Sequence, residues 1–148
     1  MNGTGLLPDL VGGALLLSLC LASGNAPSST RPGRRPIFLI EMASDLARSM
    51  DDPHPQSVTY VRSTRARANE VISGAYVNSD QAVFVLMLEG RFRYTNSYVP
   101  RGNLAPTGRY VTAVIDASDH TIVDLGIGNE RPDLSALGSV HPLDSAPD

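Results

Sequence analysis

The 148 residues carry 15 acidic side chains against 12 basic ones, a net charge of -3. That balance argues against a nucleic-acid partner, which requires a concentrated basic face. Hydrophobic residues make up 42% of the chain, enough for one small packed domain with tails. A single cysteine, Cys20, excludes an internal disulfide framework, and the absence of Trp removes the indole anchors common at interfaces. Every basic residue is Arg and none is Lys, a codon bias that points to a GC-rich genome.

Residues 1–24 read as a signal-like targeting segment. The apolar stretch from Leu10 to Ala22 has the length of a signal-peptide core and is too short to span a bilayer. Ala22-Ser23-Gly24 supplies small residues for cleavage after Gly24. Against this, the stretch before the core carries Asp9 and no basic residue, while Arg31, Arg34 and Arg35 follow it. Cys20 offers lipid attachment as a second reading, although Leu19 precedes it where a small residue is expected. A retained anchor and a true start at Met42 are the remaining readings. Residues 25–36, rich in Ser, Thr, Pro, Gly and Arg, form a disordered linker with little to bury. The linker arginines could touch anionic lipid headgroups, and a solvated linker is the plainer reading.

Residues 37–52 read as an amphipathic helix. Leu39, Ala43, Leu46 and Met50 make an apolar stripe, widened by Ile40 and Ala47, with Glu41, Ser44, Asp45 and Arg48 opposite. Pro36 suits the first helical position and Asp51-Asp52-Pro53 stops the helix. The mixed charge of its polar side favours a helix that covers a domain over one that lies on a membrane.

Asp52-Pro53-His54-Pro55 makes a stiff hinge, and residues 53–138 are expected to form a small α+β domain. From Val58 to Gly74 the pattern predicts the domain's main helix: Val61, Ala68 and Ile72 share a face, with Val58 and Thr64 beside it. Ser57 or Ser63 would cap its start and Gly74 its end. Arg62, Arg65 and Arg67 fall elsewhere and read as a solvated face. The run Ala82 to Leu88, without polar alternation and bounded by polar residues, predicts a strand covered on both faces. Gly90 marks a bulge, and Arg91 to Tyr94 alternates as a continuation of the strand. Thr95 to Gly108 is a long loop in which Tyr94, Tyr98 and Arg101 offer a contact surface. Arg109 to Ala117 is the second strand. Asp116 to His120 turns the chain, and Thr121 to Leu125 returns as the third, with Gly126-Ile127-Gly128-Asn129 ending the sheet. Pro132 to Leu137 makes one helical turn closed by Gly138, and residues 139–148 are a flexible tail.

The fold expected is therefore α+β, with one main helix on a three-stranded, mainly antiparallel sheet and an additional N-terminal amphipathic helix. No catalytic set emerges. His54, His120 and His141 lie far apart without companion Cys or Glu, and no nucleophile elbow or phosphate loop is present. Gly126-x-Gly128 follows a strand but opens no helix. Glu89 stands without a partner carboxylate and reads as structural. Asp116, Asp119, His120 and Asp124 gather around one turn, where they could hold calcium or a softer metal. Their spacing matches no calcium loop, and Asp also serves such turns by capping the backbone. No site residue, metal or cofactor is assigned.

The order of elements resembles the PepSY domain. A helix with Ala68 and Val71 is followed by Val83-Phe84-Val85, then by Tyr110 to Ala117, a polar turn and Ile122-Val123. The likeness runs from Val58 to Leu125, with His120 where the family often has glycine and a longer loop from Thr95 to Gly108. The chain also resembles small exported actinobacterial proteins of unknown function. The PepSY likeness implies an extracytoplasmic, non-enzymatic module that binds or restrains another protein, often a protease. The expected partner is thus a protein or peptide of the cell envelope, with membrane contact confined to the N-terminal segment. The alternative is a small-ligand or metal-binding protein using the Asp-rich turn.

Overall fold

Apolar spacing, chain stops and strand pairing build the fold of this chain, for which a computed structural model describes residues 36–95, 100 and 102–143. All of these belong to one unit, Gly33–Asp148. Helix α1, Ile37–Ser49, forms where its stripe predicts, and Leu39, Ala43, Leu46 and Ala47 are its buried residues. Pro36 is the capping residue and not the first helical one; its carbonyl accepts from the Leu39 N–H at 2.9 Å. The helix ends at Ser49 with Met50 as its cap, and Asp51 beyond it takes a left-handed φ of 63°.

The segment that follows departs from the sequence reading. Ser57–Thr64 is strand β1, and helix α2 is confined to Arg65–Ser73. Val58, Val61 and Thr64 do fall at helical spacing. Yet Val58-Thr59-Tyr60-Val61 is wholly β-branched or aromatic, which fits a pleated surface better than a helical one. The decisive contribution is pairing: β1 matches strand β2, Ala82–Arg93, without a break from Ser57↔Glu89 to Thr64↔Ala82. Thr64 caps α2 without a side-chain hydrogen bond, so neither Ser57 nor Ser63 serves there. Gly74 ends α2 as predicted, at φ 68° with its N–H on the Glu70 carbonyl at 3.0 Å.

Strand β2 is central and covered on both faces. Val83, Val85 and Met87 point one way and Leu86 and Leu88 the other, none more than 2% exposed. The bulge expected at Gly90 lies between Glu89 and Phe92. Strand β3, Thr107–Asp116, pairs with β2, and strand β4, Ile122–Gly128, pairs with β3. A short 3₁₀ turn, Leu134–Ala136, precedes β5, His141–Pro142.

The sheet is antiparallel with the order β4-β3-β2-β1-β5. The α+β class holds, but there are five strands where three were expected and two α-helices among the described residues. Gly126 and Gly128 lie inside β4 and do not end the sheet, and His141 and Pro142 pair with β1 at Tyr60 and Thr59. Residues 144–148 of the expected tail, like residues 1–35, lie outside the described residues.

Each face of the sheet has its own core. On one, α1 packs Leu39, Leu46 and Met50 against Leu86, Leu88, Val111 and Ile115, joined by Leu143. On the other, α2 and the 3₁₀ turn cover Val61, Val83, Val85 and Val114 with Ala68, Leu134 and Leu137. Helix α1 therefore shares its core with the sheet that begins beyond the proline hinge. Its C-terminal end is also tied to β2, because the Met50 carbonyl accepts from the Arg93 N–H at 2.9 Å.

Candidate binding site

The two edges of the sheet differ. Beside β1 runs the C-terminal segment: the Leu143 N–H donates to the Val58 carbonyl at 2.8 Å, and β5 pairs with Thr59 and Tyr60. Beside β4 no described residue pairs with the outer edge. An uncovered edge leaves a row of backbone donors and acceptors for another strand to use.

Register determines what flanks that edge. Asp124, Gly126 and Gly128 of β4 stand opposite Val114, Thr112 and Tyr110, so they share the α2 face. Leu125 and Ile127 stand opposite Ala113 and Val111 and share the α1 face. On the α2 face the two glycines contribute no side chains. A cleft of about 470 Å³ remains, lined by Asn69 and Ile72 of α2, by Tyr110, Thr112 and Val114 of β3, and by Asp124, Glu130 and Pro132. Asn69 is 6% exposed; its Nδ2 donates to Asp124 Oδ2 at 3.1 Å, while its Oδ1 is buried without a hydrogen-bond partner among the described residues. The carboxylate dictates which end of the amide faces it, so the unpartnered atom is the acceptor. On the α1 face a second groove, also about 470 Å³, is lined by Phe38, Met42, Leu46 and Ile122, with Glu41, Asp45 and Ser49 at its rim and His120 at one end. Ile122 and Leu125 are 40% and 37% exposed. An apolar floor with a mixed rim is suited to a side chain approaching from the open edge.

The Asp-rich turn is built for capping. Asp116 Oδ1 accepts from the Ser118 N–H and hydroxyl, both at 2.7 Å. The Ser118 N–H is the foremost of the contacts that hold the Asp116 carboxyl below its usual pKa, followed by the Ser118 hydroxyl and opposed by burial. Asp116 Oδ2 accepts from Gln81 Nε2. Asp119 Oδ1 accepts from the Thr121 N–H and hydroxyl at 2.9 and 2.7 Å. His120 takes the left-handed position at φ 60° and stacks on Phe38, ring centroids 3.7 Å apart and 9° from parallel. Asp124 faces the cleft. Among the described residues no three His, Cys, Asp or Glu side chains come together as a metal set.

The remaining candidates disperse. Glu89 accepts from Arg109 Nη2 at 3.0 Å and, more weakly, from Tyr110 and Ser57 at 3.4 Å. Tyr94 packs against the α1-side core, while Tyr98 and Arg101 lie outside the described residues. His54 is exposed and His141 sits 5.3 Å from the Tyr60 ring. Of the arginines on the mispredicted helix, Arg62 lies over the Phe84 ring at 5.7 Å and Arg67 donates to the Ala136 carbonyl at 2.9 Å.

Sequence reasoning missed Asn69, Gly126 and Gly128. The Gly-x-Gly spacing carried a signal, since two glycines two apart in a strand vacate one face. No helix among the described residues is long and apolar enough to cross a membrane. Comparison with known proteins finds no matching family model, no matching curated protein and no matching solved structure.

Proposed function

We propose that this chain is a non-enzymatic module that binds a protein or peptide by accepting an extended segment as a further strand beside β4. The observation that carries the proposal is the β4 edge, which no described residue pairs with and which is set between two grooves, while the opposite edge is covered by residues 141–143. An added strand places successive side chains on opposite faces, one set toward each groove. The Asp116 and Asp119 carboxylates are spent on turn caps, which supports a binding role, while Asp124 and Glu130 line the cleft.

The second occupant to consider is another copy of the chain. Antiparallel β4–β4 pairing centred on this strand brings two Asp124 carboxylates close together, and β4 holds no basic residue to offset them. A heterologous segment is the better match. The leader-like residues 1–24 and the PepSY-like order support an exported or envelope-associated setting for this binding.

Selection of displayed linear peptides on the purified protein tests the reading. Bound peptides are expected to shift and protect the amides of Ile122–Gly128, and Leu125→Lys, which charges the edge, is expected to weaken them. Peptides that perturb only other surfaces, or a dimer formed through β4 without peptide, would overturn it.

A further inference from the structure

Both grooves carry two carboxylates, but on the α1 face Asp45 is paired with Arg48 at 3.3 Å and His120 stands at one end, while the α2-face cleft has no basic residue in its lining among the described residues. Among the described residues its only ionisable acid or base side chains other than Tyr110 are Asp124 and Glu130, both carboxylates, and no arginine lines it. Arg109, the basic residue next to Tyr110 in β3, is already engaged by Glu89 at 3.0 Å. Bonded to Asp124 is Asn69, whose buried acceptor oxygen has no partner among the described residues. Buried polar atoms normally find partners, so a residue of the cleft wall that carries an orphan acceptor marks a place where a donor is missing. Apolar surface from Ile72 and Val114 completes the walls. Two carboxylates, an acceptor amide and an apolar wall together describe a receptor for a cation with several N–H donors on an aliphatic stem.

The glycines make this cleft reachable from the sheet edge. A strand beside β4 lies about 4.8 Å from it. At an ordinary β4 position the strand's own side chain would stand between the newcomer and the cleft. At Gly126 and Gly128 nothing does. A Cβ added to Gly128 meets no atom within 4 Å, and one added to Gly126 meets only the Thr112 hydroxyl, at 2.9 Å. A long side chain on the added strand can therefore pass over the bare backbone of β4 toward Asp124 and α2.

We infer that the cleft is the specificity pocket for a basic side chain, arginine or lysine, of the segment bound at β4. The inference rests on the strand-addition reading for its source of the cation, and the cation chemistry of the cleft stands apart from it. Arginine is the better fit, because its planar group offers five donors to several acceptors and its stem matches the apolar wall. This assigns the two grooves different tasks: the α1-side groove takes an apolar residue and the α2-side cleft a basic one, on opposite faces of the same added strand.

Two measurements on the purified protein test it. The first titrates the isotope-labelled protein with N-acetyl-arginine amide and, separately, with N-acetyl-alanine amide. Arginine amide is expected to shift the Asn69 side-chain amide and the Gly126 and Gly128 backbone amides, and alanine amide is not. Asp124→Asn is expected to weaken that titration about tenfold, the size of one lost charge-assisted contact. Gly128→Leu, which grows into open space, should abolish it while leaving the rest of the spectrum in place. The second sequences the peptides selected on wild type and on Gly128→Leu. Enrichment of Arg or Lys at one position on wild type, lost on Gly128→Leu while apolar preferences persist, is the expected result. Peptides that bind β4 without any basic preference overturn the pocket and leave strand addition standing. Arginine amide binding in the cleft without any β4-bound peptide overturns strand addition as the source of the cation. Absence of both overturns both.

Discussion

Gly90 provides the sharpest check on how the end of β2 is held. The bulge between Glu89 and Phe92 brings Gly90 under the Asp52 side chain, whose Oδ2 accepts from the Arg91 N–H at 2.7 Å. A Cβ at residue 90 would overlap Asp52 Oδ2 and lie 3.0 Å from the Phe92 ring. Gly90→Ala must therefore expel the carboxylate and break its bond to Arg91. A hydrogen bond to a charged group contributes about 1.5–3 kcal/mol, and partial solvent exposure brings this one toward about 1 kcal/mol. The Phe92 shift adds a cost that the lower unfolded-state entropy of alanine, about 0.4–1 kcal/mol, largely offsets. Gly90→Ala alone should thus lose about 1–2 kcal/mol. Asp52→Ala loses the same hydrogen bond, about 1 kcal/mol. With Asp52 already truncated the overlap is gone, and adding Gly90→Ala should change stability by less than about 0.5 kcal/mol. Urea unfolding of the four proteins of the cycle measures the coupling, expected at about 1 kcal/mol. Additivity of the two substitutions within about 0.3–0.5 kcal/mol would refute the contact and the bulge geometry behind it.

Four further outcomes are expected. Val85→Asp buries an unpaired charge at a fully covered position of β2 and should cost about 3–5 kcal/mol in urea unfolding; a loss below about 1 kcal/mol would contradict the central-strand assignment. At the β3–β4 turn, His120→Gly relieves a left-handed φ but loses the stack on Phe38, so it should be nearly neutral. His120→Ala keeps the backbone strain and loses the stack, and should be less stable than His120→Gly by about 1 kcal/mol, with equal stabilities counting against the turn geometry. The Asp116 carboxyl is held below its usual pKa by the Ser118 contacts, so its contribution is fully present above the unfolded value near 4 and fades as pH falls through the lower folded value. The stability gap between wild type and Asp116→Asn should accordingly shrink only below about pH 4, and a gap constant from neutral to strongly acid pH would remove the assignment. Finally, a chain beginning at Asp51 lacks Leu39, Leu46 and Met50, which cover one face of the sheet. It should show no cooperative thermal transition, and a sharp one would mean that the sheet can do without α1.

Local chemistry was enough to place much of this fold. The stripe from Leu39 to Met50, the unalternating run at Val83 to Leu88, the glycines at 74 and 90, and the Asp-rich turn each specify their own conformation through periodicity, φ preference or side-chain capping. Those elements stand where the sequence puts them. The segment from Ser57 to Thr64 does not, because its apolar spacing fits either a helix or a strand. The choice was made by β2, a partner distant in sequence that offers an unbroken ladder and a buried face to Val61.

The candidate site escaped the sequence for the same physical reason. Asn69 and Asp124 meet only because α2 packs over β3 and β4, and Gly126 and Gly128 become the mouth of a cleft only once register sets them on the α2 face. That no described residue pairs with the outer edge of β4 is a property of the whole sheet, decided when residues at the far end of the described chain close over β1 instead. By itself the sequence determined the buried strand, the turns and the acidic balance of this protein. Long-range strand pairing and helix docking, which no local pattern encodes, decided which backbone edge the described residues leave without a partner strand and which side chains surround it.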